Sequence, residues 1–163
     1  VILLGLDPGP EHSGLVLYDI TNTPFVVAAQ SRLEWADVRT WVREHRPYRV
    51  VCERTQAGPP STQVVRTTEV IGRCMELCDQ LDQPAAFIPR RDVLQALGCA
   101  TKGNKDALVR QALIELHGGD KARALGDRRK PGPLYGVTSH AWAALAIAVT
   151  YNIQNGGRYH VSH

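Results

Sequence analysis

Nothing in this 163-residue sequence is long and apolar enough to cross a bilayer as a helix. The longest apolar run, AWAALAIAV at 141–149, falls well short of the roughly 20 residues that a span needs, which argues against a membrane partner. No amino-terminal stretch reads as a secretory leader. Because residue 1 is valine, the initiator region is expected to have been removed or to lie outside the sequence. A strong metal-binding cysteine spacing is also missing. Cys52, Cys74, Cys78 and Cys99 form no CxxC pair, and Cys74 and Cys78 sit four apart on an expected helix, a poor placement for a disulfide. All four are expected as free thiols of a cytoplasmic protein. Extreme charge is absent too: 19 Lys and Arg against 16 Asp and Glu leave +3, which permits a polyanionic partner without demanding one. No compositional shift divides the chain, and 44% hydrophobic residues can build one sizeable core, so a single domain over 1–163 is expected.

What is present is an alternation of short apolar runs and amphipathic segments. Residues 1–7 read as a central strand, apolar on both faces. Strands at 12–20 and 24–33 follow after short turns, which makes the three antiparallel neighbours. Trp35, Val38, Trp41 and Val42 give 35–45 a helical stripe. A fourth strand at 49–52 ends in Glu53, and a proline-containing loop spans 54–61. Ser61 can cap a helix running to about Leu81, with Val64, Val65, Thr68, Ile71, Met75 and Cys78 as its apolar stripe. AAFI at 85–88 reads as a fifth strand, followed by helices near 90–97 and 104–117 and an irregular stretch at 127–137. Thr138 or Ser139 then caps a final helix that opens HAWAALAIAV. The order predicts an α/β fold with a mixed five-stranded sheet flanked by helices, the fourth strand returning parallel to the first through a crossover.

Two of these buried strands finish in acids. Asp7, in VILLGLDPG, has an ordinary reading as a turn aspartate. Glu53 has no turn to satisfy, and if the first and fourth strands are neighbours, both carboxylates emerge where open α/β sheets collect ligands. Ionised acids brought together at low dielectric repel unless a cation intervenes, and Mg²⁺ is such a cation, binding through oxygen ligands and water. The ordinary explanation is salt-bridging to Arg54, Arg90 or Arg91. His140 opens the final helix, within reach of the same site, and positions 143 and 144 lie one turn further on its face. Both are alanine. Two acids and one histidine are few ligands for a two-metal hydrolase. Lys102 and Lys105, the 121–130 cluster (Lys121, Arg123, Arg128, Arg129, Lys130), and Arg66 and Arg73 on the long helix make a basic surface for phosphodiesters reasonable. The cluster just before the final helix is expected beside the site.

GLDPGPEHSG at 5–14, VVCE at 50–53, KGNKDALVRQAL at 102–113 and SHAWAALAIAVT at 139–150 resemble, in order and spacing, the RuvC-type Holliday junction resolvases. The resemblance runs from residue 1 to about 152, and the compact form looks like a bacteriophage-encoded member. It implies a ribonuclease H-like fold and a crossover junction endodeoxyribonuclease that needs Mg²⁺ or Mn²⁺, two per site, and no nucleotide cofactor. It further implies Asp7, Glu53 and His140 as metal ligands, Lys105 near the scissile phosphate, Arg128, Arg129 and Lys130 on the junction arms, and a homodimer making paired cuts in four-way DNA.

Two departures from the pattern matter. The family carries an acid three residues after the position of His140, where this chain has Ala143 inside an otherwise intact Ala-Leu-Ala string. This reads as an engineered replacement that disables cutting, unless the protein is naturally inactive or the ligand is relocated. Several family members also have aromatics just after the fourth-strand glutamate, available to wedge into the junction. TQAGPPS, at 55–61, has none. A sugar-kinase-like ATPase, the competing class, needs a second domain that 163 residues cannot hold. A non-catalytic binder of branched DNA and a ribonuclease H acting on hybrids or other branched DNA stay open as readings of the same fold.

Overall fold

A computed structural model describes residues 1–55 and 61–157. Strands β1 (Ile2–Asp7), β2 (Ser13–Asp19) and β3 (Phe25–Leu33) form an antiparallel meander. Helix α1 (Trp35–His45) then carries the chain across, so that β4 (Arg49–Arg54) lies parallel to β1. After α2 (Thr62–Gln80), β5 (Ala85–Pro89) adds in parallel to β4, giving the five-stranded order β3-β2-β1-β4-β5. The remaining helices are α3 (Arg90–Ala96), α4 (Lys105–Gly118), α5 (Lys121–Leu125) and α6 (Ala141–Gln154). This is the ribonuclease H-like α/β arrangement that the sequence leads one to expect.

Because successive side chains alternate across a strand, β1 feeds two cores. Leu3 packs with α3, α4, α5 and α6 on one face, and Leu4 and Leu6 pack with α1 and α2 on the other. Helix α6 approaches the sheet most closely because its inner face is made of Ala144 and Ala148. A Cβ on Gly5 would collide with the Ala144 carbonyl, so the glycine and the alanine string are two halves of one contact.

The structure departs from the sequence expectations in four places. Strand β4 continues through Glu53 to Arg54, because both residues pair with β5, so Glu53 lies within the strand and not past its end. Helix α2 buries Val70, Ile71, Cys74, Leu77 and Cys78. Val65 and Met75 stay half exposed and Thr68 is exposed, because they lie on the side of α2 turned away from that buried stripe. Ser61 does cap it, accepting from the Val64 amide. The start of α6 has no side-chain cap. Ser139 adopts a left-handed backbone (φ 41°), Thr138 bonds Ser31, and His140 occupies the capping position. The basic stretch begins with a short helix, α5, capped by the Asp120 carboxylate accepting from the Arg123 amide. All four cysteines are buried free thiols. The loop expected over 54–61 lies largely outside the described residues, at 56–60. Among the described residues, no helix is long and apolar enough to cross a membrane.

Candidate functional site

The parallel register sets Leu6 beside Cys52, so the next residue on each strand, Asp7 and Glu53, falls at the same level at one end of the sheet. The turn into α6 brings the third group: His140 Nδ1 lies 3.9 Å from Asp7 Oδ2. That approach depends on Gly14 of β2, where any Cβ would strike the His140 backbone. One turn further along α6, Ala143 is only half-buried, while Ala141, Trp142 and Ala144 to Val149 are buried. Asp7, Glu53, His140 and Ala143 all line one cleft of about 400 Å³, together with Arg90 and Asp106. These four of the residues expected at the site therefore share one place in the fold.

Its charges are poorly satisfied. Burial pushes the Asp7 carboxyl above its usual range, against the opposing pull of His140 and Arg90. Glu53 is pushed up to about 7, first by burial and then by the charge of Asp7, with Arg90 again opposing. Arg90 Nη2 donates to Asp106 Oδ1 at 2.7 Å, whereas its Nη1 stays 3.6 Å from Glu53 Oε2, too long for a hydrogen bond. Glu53 Oε2 is accordingly buried without a hydrogen-bond partner. An unsatisfied buried carboxylate oxygen beside a second acid suits one hard divalent cation, which accepts one or two carboxylates and completes its shell with water. A second ion would find no further carboxylate at Ala143. Among the described residues, no group of three or more His, Cys, Asp and Glu side chains is arranged to hold a metal.

Sequence alone does not single out Arg90 and Asp106 as parts of the site. Arg90 reads there only as one of three arginines able to salt-bridge Glu53, and Asp106 is not marked out at all. Arg54 and Arg91, its two competitors for that role, make no ion pair with Glu53 among the described residues, and Arg91 binds Asp92 at 3.1 Å.

The expected basic residues separate. Lys105 does not line the cleft, and its Nζ donates to the Cys99 carbonyl at 3.4 Å. Lys102 is exposed in the preceding turn, and Arg73 is exposed on α2. Arg66 lines an adjoining cavity of about 330 Å³ with His12 and His140. Arg128, Arg129 and Lys130 lie away from the cleft. The Pro133 carbonyl accepts from Val26, which pairs with Tyr18, which pairs with Leu3, so this segment borders the end of the sheet remote from Asp7. Residues 133–138 then run back along β3 to Thr138, near the site. Proximity in sequence to α6 did not translate into proximity in space.

The chain is similar over nearly its whole length to several solved structures. With RuvC of T. thermophilus in complex with a Holliday junction substrate it shares 20% identity over 98% of each chain, at a TM-score of 0.65. With another Thermus thermophilus RuvC structure the values are 19% identity, 98% of this chain, 99% of that one, and 0.66. The fowlpox virus Holliday junction resolvase matches at 13% identity over 95% of this chain and 99% of its own, at 0.59. No protein-family model and no curated protein sequence matches the chain. What these likenesses establish is the class of fold: the chain is a ribonuclease H-like α/β protein, with its two strand-borne acids at the carboxyl ends of the central parallel pair.

Proposed function

We propose that this chain is a metal-dependent nuclease domain, spanning 1–163, of the Holliday junction resolvase kind, which binds four-way or other branched DNA and hydrolyses a phosphodiester in each of two opposed strands. The observation that carries the reading is the convergence of Asp7, Glu53, His140 and Ala143 on one cleft. Asp7 and Glu53 would hold a divalent ion, Mg²⁺ or Mn²⁺, with His140 beside them. When bound, that ion supplies an activated water and charge neutralisation at the phosphate. Arg90 neutralises the acids in its absence and offers a guanidinium to a phosphate in its presence.

Ala143 faces the cleft with no oxygen to offer, so a form with an acid there would hold two ions and cut, whereas this form binds with little or no cutting. In this reading Ala143 is a replaced acid, and the parent protein is phage-encoded and works in the cytoplasm of a bacterial host. Paired cuts need two sites related by a two-fold axis, and one chain offers one. The exposed Val65, Thr68 and Met75 side of α2 is the surface for a homodimer. Ala143 also favours a second reading, a purely binding protein of the same fold.

The test is equilibrium binding of a labelled four-way junction and of a linear duplex of equal length, with ATP as competitor. Tighter junction binding, insensitive to ATP, is expected. Equal affinity for the two DNAs would remove the structural selectivity, and displacement by ATP would favour the kinase-like class.

A further inference from the structure

The cleft continues past Asp106. A second cavity, about 500 Å³, shares Asp106, Ser139 and Trp142 with the first and is lined beyond them by Arg110 and Lys121. On the opposite side, the cavity that contains His12 and Arg66 shares His140 with the site. Through these shared residues the three cavities adjoin as a groove, with Arg110 and Lys121 lining one end and His12, Arg66 and the acid Glu11 lining the other.

The Arg110 guanidinium lies over the Trp142 indole at 4.9 Å from the ring centre. Trp142 is buried and Arg110 is exposed, so the ring holds the guanidinium in place by cation–π attraction while the Arg110 side chain lines the groove. Arg110 forms no ion pair among the described residues. The one acid in this cavity, Asp106, is already engaged by Arg90 at 2.7 Å. Lys121, across the cavity on α5, is likewise without a carboxylate partner among the described residues. An Arg pre-ordered on an aromatic face, free of a carboxylate and opposite a Lys, suits a phosphate. Its planar fork binds two oxygens with little further loss of freedom.

We propose that Arg110, seated on Trp142, and Lys121 form a phosphate-binding subsite for the DNA strand on the α4 side of the reaction centre. This rests on the reading of the chain as a branched-DNA nuclease and assigns the path of one strand within it. The subsite fixes the position of the strand relative to Asp7 and Glu53. Arg66 and His12 hold the strand on the other side.

The experiment measures junction binding across a range of salt for the parent, Arg110→Gln, Lys121→Gln, the double variant, and Arg43→Gln on α1 as a control on the opposite face of the sheet. Ethylation interference on the labelled junction is read in parallel. Each lost phosphate contact should reduce the log–log salt slope by about 0.9. The double variant should therefore lose nearly two from the slope, with Arg43→Gln unchanged. Interference should vanish at phosphates on one side of the crossover only. Because Arg110 and Lys121 are exposed, melting temperatures should stay near that of the parent. If the parent binds the junction but the double variant keeps its slope, or loses no more than Arg43→Gln, the subsite is overturned and the nuclease reading stands. If the parent binds no DNA, the nuclease reading itself fails.

Discussion

The β1–β2 ladder carries an aspartate at each end, and the two are treated in opposite ways. Asp19, opposite Ile2, is satisfied: its carboxylate accepts from the Thr21 amide at 2.8 Å and the Thr21 hydroxyl at 2.6 Å, and it pairs with the Val1 amino group at 3.4 Å. Those hydrogen bonds hold its carboxyl below the usual range. Asp7, opposite Gly14 at the other end, has among the described residues only a 3.9 Å approach from His140, and burial drives its carboxyl the other way. Glu53 beside it is half-buried, with one buried carboxylate oxygen that has no hydrogen-bond partner among the described residues. An acid that fastens a strand end is surrounded by donors. An acid kept for a ligand is left short of them, and the fold bears the cost.

The largest expected departure from this symmetry comes from Glu53. A folded-state pKa raised from 4.5 to about 7 means that the unfolded chain binds fewer protons across that interval, so stability falls as pH rises through it. Glu53→Gln should abolish that fall and leave the protein more stable than the parent at pH 8, by about 2 to 3 kcal/mol. Chemical denaturation at pH 4.5 and pH 8 measures it, and Mg²⁺ or Mn²⁺ should raise the parent's melting temperature but not the variant's. An equal loss at both pH values would mark Glu53 as a structural acid.

A second pH effect of opposite sign comes from His117. It is buried and pushed down to about 4 by that burial, with its ring hydrogen-bonded to Tyr18. Its folded pKa is depressed below the usual 6.5, so it withdraws stability as pH falls from about 6.5 toward 4. The two windows overlap between about pH 4.5 and 6.5 with opposite slopes, so the parent should be nearly flat there and fall only from about pH 6.5 to 7, whereas Glu53→Gln should keep the acid-side loss of His117 alone.

Smaller effects belong to the satisfied end. Asp19→Asn should destabilise by about 0.5 to 1 kcal/mol at neutral pH, with the difference from the parent vanishing as pH falls below the ordinary carboxylate range. The smallest concern the turn that borders this end. Arg128→Gln, Arg129→Gln and Lys130→Gln together should weaken junction binding less than Arg110→Gln alone. A larger loss would place the DNA across the remote end of the sheet.

Much of the fold is legible in sequence because its signals are local. Buried strands are recorded as runs such as VILLGL, and the parallel return of β4 follows from a helix between two strands. Asp7 and Glu53 are legible because an acid ending an apolar run is anomalous. The Arg90–Asp106 pair and the Arg110–Trp142 contact are not, because each joins two helices whose relative placement no single segment encodes. The buried face of α2 is obscured for a related reason: Val65 and Met75 have apolar periodicity, but they lie on the side of the helix turned away from the stripe that meets the core. The 121–130 charge run, dense in sequence, is divided in space between the groove and the far end.

The account turns on whether the cleft at Asp7 is the cutting centre and lacks only the acid at position 143. A labelled four-way junction incubated with Mn²⁺ and the parent, Ala143→Asp, or the double variant Asp7→Asn/Ala143→Asp tests this directly. The account predicts symmetric nicks near the crossover from Ala143→Asp alone, with the parent and the double variant binding the junction without cutting it. Cutting by the double variant, or equal cutting by the parent and Ala143→Asp, would contradict it.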